Sequence, residues 1–201
     1  MKLILASGSP RRKEILSYLN IPFEVIISSF EEKIDEKKPL EEEIKRLSKG
    51  KASTVFKDNK DAIVIGADTI VTINNKVLGK PKDKEDAYQM LKLLSGNKHT
   101  VITGVTIISE ENIDTFASVS DVYFNKLTDK EINDYIATNE SMDKAGAYAI
   151  QGIGSKFINK IDGDYYSIMG LPINEIYKRL KVFGFWLLDI YLIFISNQVF
   201  R

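Results

Sequence analysis

The chain contains no cysteine. Disulfides, thiolate metal sites and thiol nucleophiles are therefore excluded, and the composition suits a reducing compartment such as the cytoplasm. Histidine is nearly absent as well. His99 is the only one, so no multi-histidine metal cluster can form. Any metal should be held by oxygen donors, which favours magnesium or manganese. Net charge of one sign is missing too: Lys plus Arg and Asp plus Glu number 28 each. No bulk basic field is there to hold a nucleic acid polymer or an anionic membrane, so basic residues must act locally. The N-terminus lacks the basic segment and long apolar run of a signal peptide. The greasiest stretch, residues 182–195, carries Gly184 and Asp189 and falls short of the ~20 residues of a spanning helix. It reads as an apolar C-terminal extension, 184–201, that packs on its own domain or on a second subunit.

What the chain has is apolar material: 44% of 201 residues is enough for one core, or for two lobes sharing a cleft. Its most informative stretch comes first. Leu3 to Ala6 reads as a short buried strand, and Ser7 and Gly8 allow a tight turn. Ser9 is a good N-cap, Pro10 suits the first helical position, and Ile15, Leu16 and Leu19 supply an apolar face before Asn20. Strand, small-residue loop and helix N-terminus together aim free amides and a positive dipole end into the loop. Arg11 and Arg12 add fixed charge and forked donors. This is a site for an anion such as phosphate.

Phe23 to Ile27 reads as a second strand, followed by adjacent carboxylates Glu31 and Glu32 in a polar segment. Leu40 to Phe56 has the stripe of an amphipathic helix, marked by Leu40, Ile44, Leu47 and Val55. Lys51 falls on that stripe, where it can snorkel to the edge or project into a cleft. Ala62 to Ala67 is a continuous apolar run of the kind buried on both faces, ending at Asp68-Thr69. A carboxylate at the end of a central strand is a usual place for catalysis. Asn74-Asn75 predicts a two-residue hairpin pairing 73 with 76, 72 with 77 and so on, down to 69 with 80. That register would return Lys80 beside Thr69 and next to Asp68.

Asp83 caps a helix with the stripe Ala87, Met90, Leu91 and Leu94. His99 opens a strand and is read as structural or exposed; Ile113 to Phe124 is its antiparallel partner. Thr128 and Glu131 form a capping box for another helix, with Ile132, Tyr135 and Ile136 inward. Lys144-Ala145-Gly146-Ala147-Tyr148-Ala149-Ile150-Gln151-Gly152 is dense in small residues, which suits close backbone approach to a ligand. Gln151 could read a base edge through its paired donor and acceptor. Lys156 to Ile161 and Tyr165 to Met169 read as strands around Asp162-Gly163, and Ile173 to Leu180 as a last helix. Early strand–helix alternation and later antiparallel pairs predict an α/β fold with a mixed sheet.

Four stretches resemble, in order, the motifs of the Maf family of nucleoside triphosphate pyrophosphatases. They are Ala6 to Arg12, Gly66-Ala67-Asp68-Thr69, Gly79-Lys80-Pro81 and Lys144 to Gly152. The resemblance covers roughly residues 2 to 183, read as one domain (1–183), and is to the branch preferring dTTP and UTP. It implies a strongly curved mixed sheet with flanking helices, two lobes around a central cleft, and a homodimer. It implies hydrolysis between the α and β phosphates, giving a nucleoside monophosphate and pyrophosphate. Ser7, Ser9, Arg12, Lys51 and Lys80 would bind phosphate, and Arg11, Thr69 and Gln151 would take part in base selection. Asp68 would be general base or metal-orienting carboxylate, and Glu32 metal ligand or helper, with magnesium or manganese. Modified pyrimidine nucleotides are open as substrates. The rival reading is a nucleotide-binding regulator of cell division with little catalysis.

Overall fold

The structure, a computed structural model, describes residues 2–184. The predicted apolar extension therefore lies outside the described residues, apart from Gly184. In chain order the elements are β1 (Lys2–Leu5), α1 (Pro10–Ser17), β2 (Glu24–Val25), α2 (Leu40–Phe56), β3 (Ala62–Ile73), β4 (Lys76–Leu78), α3 (Lys84–Leu94), β5 (Lys98–Ile108), β6 (Ile113–Phe124), α4 (Asp129–Ala137), β7 (Ile158–Asp162), α5 (Tyr165–Ile168) and α6 (Ile173–Val182). Three short 3-10 turns, Glu140–Asp143, Ala145–Ala147 and Ile153–Phe157, connect α4 to β7. The sheet is mixed and seven-stranded, ordered β2-β1-β3-β5-β6-β7, with β4 also on β3. The predicted mixed α/β class is what is found.

The arrangement around β3 positions everything else. β1 runs parallel to β3 over Lys2↔Ala62 to Leu5↔Ile65. β4 runs antiparallel to it over Val71↔Leu78 to Ile73↔Lys76. β5 occupies the opposite edge from Val64 to Thr72. β1 and β4 must therefore share one edge, and the stretch from Gly66 to Ile70 lies between them. The sequence suggested that the strand ends at Asp68-Thr69. Instead the run continues to Ile73, because β5 pairs with it throughout, and Asp68 sits where β1 leaves off.

Side chains alternate across β3. Ile63, Ile65, Ala67, Val71 and Ile73 join the main core with α1, α3, α4 and α6. Ile70 joins a smaller cluster with Ile44 and Leu47 of α2. Helix α2 lies directly on the sheet because two glycines admit it. A Cβ on Gly66 would stand 2.5 Å from the Ser48 carbonyl oxygen, and one on Gly104 2.5 Å from that of Ile44.

Several local expectations hold. Ser9 caps α1 through the Arg12 amide, with Pro10 in its first turn. Asp83 caps α3, and the Thr128–Glu131 capping box opens α4. Two do not. The second strand is only Glu24–Val25. Residues 165–168 form a helix, not a strand, because Asp164 accepts the Ser167 amide as an N-cap. Gly163, at φ 138, brings the chain tightly past Ser120 just before it. Tyr165, Tyr166 and Ile168 are residue types that favour strands, and the cap overrides that propensity. No helix among the described residues is long and apolar enough to cross a membrane.

Candidate active site

The gap between β1 and β4 opens into a cavity of about 680 Å³. It is walled by the turn after β1, by α2, by β3 and by the segment 143–151. Ser7 follows β1 as it leaves β3. Its hydroxyl oxygen accepts the Ser9 amide (3.2 Å) and Arg12 Nη1 (3.2 Å). The turn is thus closed on itself at the α1 N-terminus, the end that favours an anion.

Arg12 is fixed by its remaining donors. Nε donates to the Gly170 carbonyl (2.9 Å) and Nη2 to Thr69 Oγ1 (3.1 Å). Nη2 also lies 3.9 Å from Asp68 Oδ1. Burial pulls the Arg12 guanidinium down from its ordinary value, against the opposing charges of Asp68 and Glu32. Gly170, at φ 112, suits this contact, since a Cβ there would crowd Arg12 Nε at 3.2 Å. Thr69 in turn shares a hydrogen bond with Thr103 Oγ1 (2.8 Å), which donates to the Ser167 carbonyl (2.7 Å). The Thr69 hydroxyl, expected to take part in base selection, also holds Arg12 and keeps one acceptor lone pair.

Lys51 projects from the inward stripe of α2 with its side chain 7% exposed. Its ammonium lies 2.8 Å from Asp68 Oδ1 and 2.7 Å from Glu32 Oε1. One cation therefore bridges two carboxylates from different elements. Glu32 gets there because its loop is pinned to α2. Phe30 stacks over Gly50, where a Cβ would be 2.3 Å from the ring. Arg46 Nη2 donates to the Lys33 carbonyl at 2.6 Å, and the Asp35 amide donates to Glu43 at 3.1 Å. The Arg46 guanidinium holds the Glu43 carboxyl down at about 2.

Lys80 requires a correction. The ladder has the predicted register but stops at Val71↔Leu78. Gly79 then gives its carbonyl to the Gly146 amide (3.1 Å), so the chain leaves β3 for the 145–147 turn. Lys80 lines the cavity but is exposed, and it makes no ion pair with Asp68. Arg11 lies 3.5 Å from Asp143 at the cavity rim, and the exposed Gln151 lines the same cavity from the segment that carries Asp143. The structure thus brings Ser7, Ser9, Arg11, Arg12, Glu32, Lys51, Asp68, Thr69, Lys80 and Gln151 to one cavity. Sequence reasoning missed Thr103 and Gly170, which hold Arg12 and Thr69 from a distant strand and turn; no local spacing signals such contacts.

Asp68 and Glu32 are the residues that could hold a metal. Among the described residues no cluster of three histidine, cysteine or acidic side chains exists. The two carboxylates already converge on a single cation, the Lys51 ammonium. That is a fitting donor set for a hard divalent ion whose remaining ligands are water and substrate phosphate.

The family described as Maf-like protein matches residues 2–183. A dTTP/UTP pyrophosphatase of Bacillus cereus is 50% identical over 182 residues, covering 90% of this chain and 95% of the relative. One of Bacillus anthracis is 50% identical over 183 residues, covering 91% and 96%. One of Bacillus cytotoxicus is 50% identical over 182 residues, with 90% and 95% covered. With the family match spanning nearly the whole described chain and half of the residues shared with these relatives, the chain belongs to the Maf family.

Proposed function

We propose that the protein hydrolyses dTTP and UTP between the α and β phosphates, releasing a nucleoside monophosphate and pyrophosphate. The observation that carries this reading is the Asp68 carboxylate, 12% exposed, between Lys51 and Arg12 in the cavity that the α1 N-terminus also lines. A protein that only bound nucleotide would gain nothing from a carboxylate placed beside the phosphates. The names of the relatives supply the substrate class.

The triphosphate carries up to four negative charges, which repel an attacking water. The amides of the Ser7–Ser9 turn, with Arg12, Lys51 and Lys80, offset that charge and stabilise what develops on the departing pyrophosphate. Lys80 is free to do so because it is exposed at the cavity and unengaged by Asp68. Asp68 spends Oδ1 on Lys51, while Oδ2 has no hydrogen bond among the described residues. Oδ2 takes the proton of the water. The water oxygen bonds to the attacked phosphorus, and the bridging oxygen leaves with the other phosphate. A magnesium or manganese ion held by Glu32 and Asp68 would supply charge neutralisation and a more acidic water. Arg11 and Gln151 face the base, Gln151 presenting a donor and an acceptor to a pyrimidine edge. A homodimer and the two-lobed shape of the 1–183 domain rest on the family resemblance, and a cytoplasmic setting rests on the cysteine-free composition.

The test is pyrophosphate release from a panel of canonical and modified triphosphates, with magnesium, manganese or chelator. Asp68→Asn should lower turnover at least ~100-fold while retaining the fold by circular dichroism. Near wild-type turnover in folded Asp68→Asn would remove Asp68 from this role. Nucleotide binding without release from any substrate would favour a regulator instead.

A further inference from the structure

Gln151 has no hydrogen bond of its own to the protein among the described residues, and its segment belongs to no strand or helix. Whatever fixes its position must act through its neighbours. Glu140, in the first 3-10 turn after α4, does so. Its Oε2 accepts the Ile153 amide (3.0 Å), and its Oε1 accepts the Gly154 amide (3.0 Å). The Tyr135 hydroxyl donates to Oε1 (3.0 Å) and accepts the Ala149 amide (3.2 Å). Residues 149, 153 and 154 are thus tied to one carboxylate–phenol pair, two positions before and two and three after Gln151.

The surroundings are shaped for this strap. Tyr135 is fully buried and meets Phe157 edge-on at 5.2 Å, so its hydroxyl is a fixed point. Gly152 is at φ 132, and a Cβ there would stand 2.4 Å from Glu140 Oε2. A Cβ on Gly154 would stand 2.9 Å from the Tyr135 hydroxyl. The two glycines leave the room in which carboxylate and amides meet. Burial alone would raise the Glu140 carboxyl, but the two amides, the Tyr135 hydroxyl and the Lys144 charge outweigh it and hold it below the usual range. The strap is therefore ionised at neutral pH. Glu140 does not line the cavity, so it can act on a nucleotide only through the segment it holds.

We propose that Glu140, with Tyr135, is a positioning residue that sets nucleotide selectivity by holding the Gln151 carboxamide at the height of a pyrimidine edge. This rests on the reading of Gln151 as a base contact. The strap adds to that reading a cause for selectivity outside the cavity wall.

The experiment compares kcat and KM for UTP, CTP and ATP in wild type, Glu140→Gln, Tyr135→Phe, Gln151→Ala and the Glu140→Gln/Gln151→Ala double variant. Glu140→Gln keeps the side-chain volume but turns an amide-facing acceptor into a donor. The expected result is a UTP preference reduced at least tenfold in Glu140→Gln through KM, with kcat on UTP within about threefold. Tyr135→Phe should shift the same ratio less, and the double variant should be no less selective than Gln151→Ala, as for two residues acting through one contact. If Gln151→Ala loses selectivity while Tyr135→Phe and Glu140→Gln, or Tyr135→Phe alone where Glu140→Gln does not fold, keep the wild-type ratio, the strap is overturned and the base contact stands. If Gln151→Ala itself leaves the ratio unchanged, both fall.

Discussion

The His99 ring is enclosed by the edges of Phe124 and Tyr148, at centroid distances of 5.1 and 5.2 Å. Its Nε2 shares a 2.8 Å hydrogen bond with the Tyr148 hydroxyl, and its Nδ1 has no partner among the described residues. Burial lowers this imidazole from 6.5 to about 4, opposed only by the Asp121 charge. Above the ordinary value both folded and unfolded chains hold it neutral. Below it the unfolded chain takes up a proton that the folded one refuses, so stability falls as pH drops from 6.5 to about 4. The loss should run at ~1.4 kcal/mol per pH unit and reach on the order of 3 kcal/mol. Urea unfolding between pH 7.5 and 5 measures it, with His99→Gln as the comparison that should be flatter. An equally steep fall in the variant would place the effect on other groups. The sequence offered His99 as structural or exposed and could not choose, since burial here depends on a tyrosine 49 residues away. Lys51 was more legible because helical spacing alone places it on the inward face, whereas Tyr135 read only as core and Glu140 drew no notice. The work of that pair is done through backbone amides, which a sequence does not distinguish.

At the scale of elements, α2 is the part whose placement matters most to the proposed chemistry. It carries Lys51, it anchors the Glu32 loop through Phe30, Arg46 and Glu43, and it rests on two glycines of the sheet. Gly66→Ala would drive a methyl into the Ser48 carbonyl, the Ala52 amide nitrogen at 2.6 Å and the Ala52 side chain at 2.8 Å. None of these is the far end of a flexible side chain, so the helix itself must shift. The expected cost is about 1–3 kcal/mol or more, the range of overpacking. Turnover should fall with it, because the 2.8 Å Lys51–Asp68 contact spans the same interface. Thermal unfolding and pyrophosphate release of the variant check both parts. A stable variant with unchanged turnover would show that α2 has freedom to move. The hairpin after β3 shows how far local chemistry carries. Asn74 and Asn75 both adopt positive φ, as a two-residue turn requires, and the register follows from them. What failed was extrapolation of the ladder to Lys80, because a glycine carbonyl found another partner 67 residues on.

Seen as a whole, the chain has equal numbers of acidic and basic residues yet gathers guanidinium and ammonium groups along one cavity. That cavity depends on the single edge of β3 where β1 and β4 part company. In the antiparallel run β3, β5, β6, a hairpin joins β5 to β6 and β5 reaches β3 across about 28 to 44 residues, whereas β1 reaches β3 in parallel across about sixty. Contacts between distant residues incur more loop-closure entropy and form later. In refolding, the meander should therefore assemble first and the first strand should dock afterwards. Until it docks, neither the Ser7 turn nor the Arg12 fork is in place. Far-ultraviolet ellipticity should recover ahead of nucleotide-binding competence in a stopped-flow experiment, and synchronous recovery would contradict the sequence of events. A half-formed molecule would thus be blind to its ligand, and nucleotide would stabilise only chains that had already finished folding.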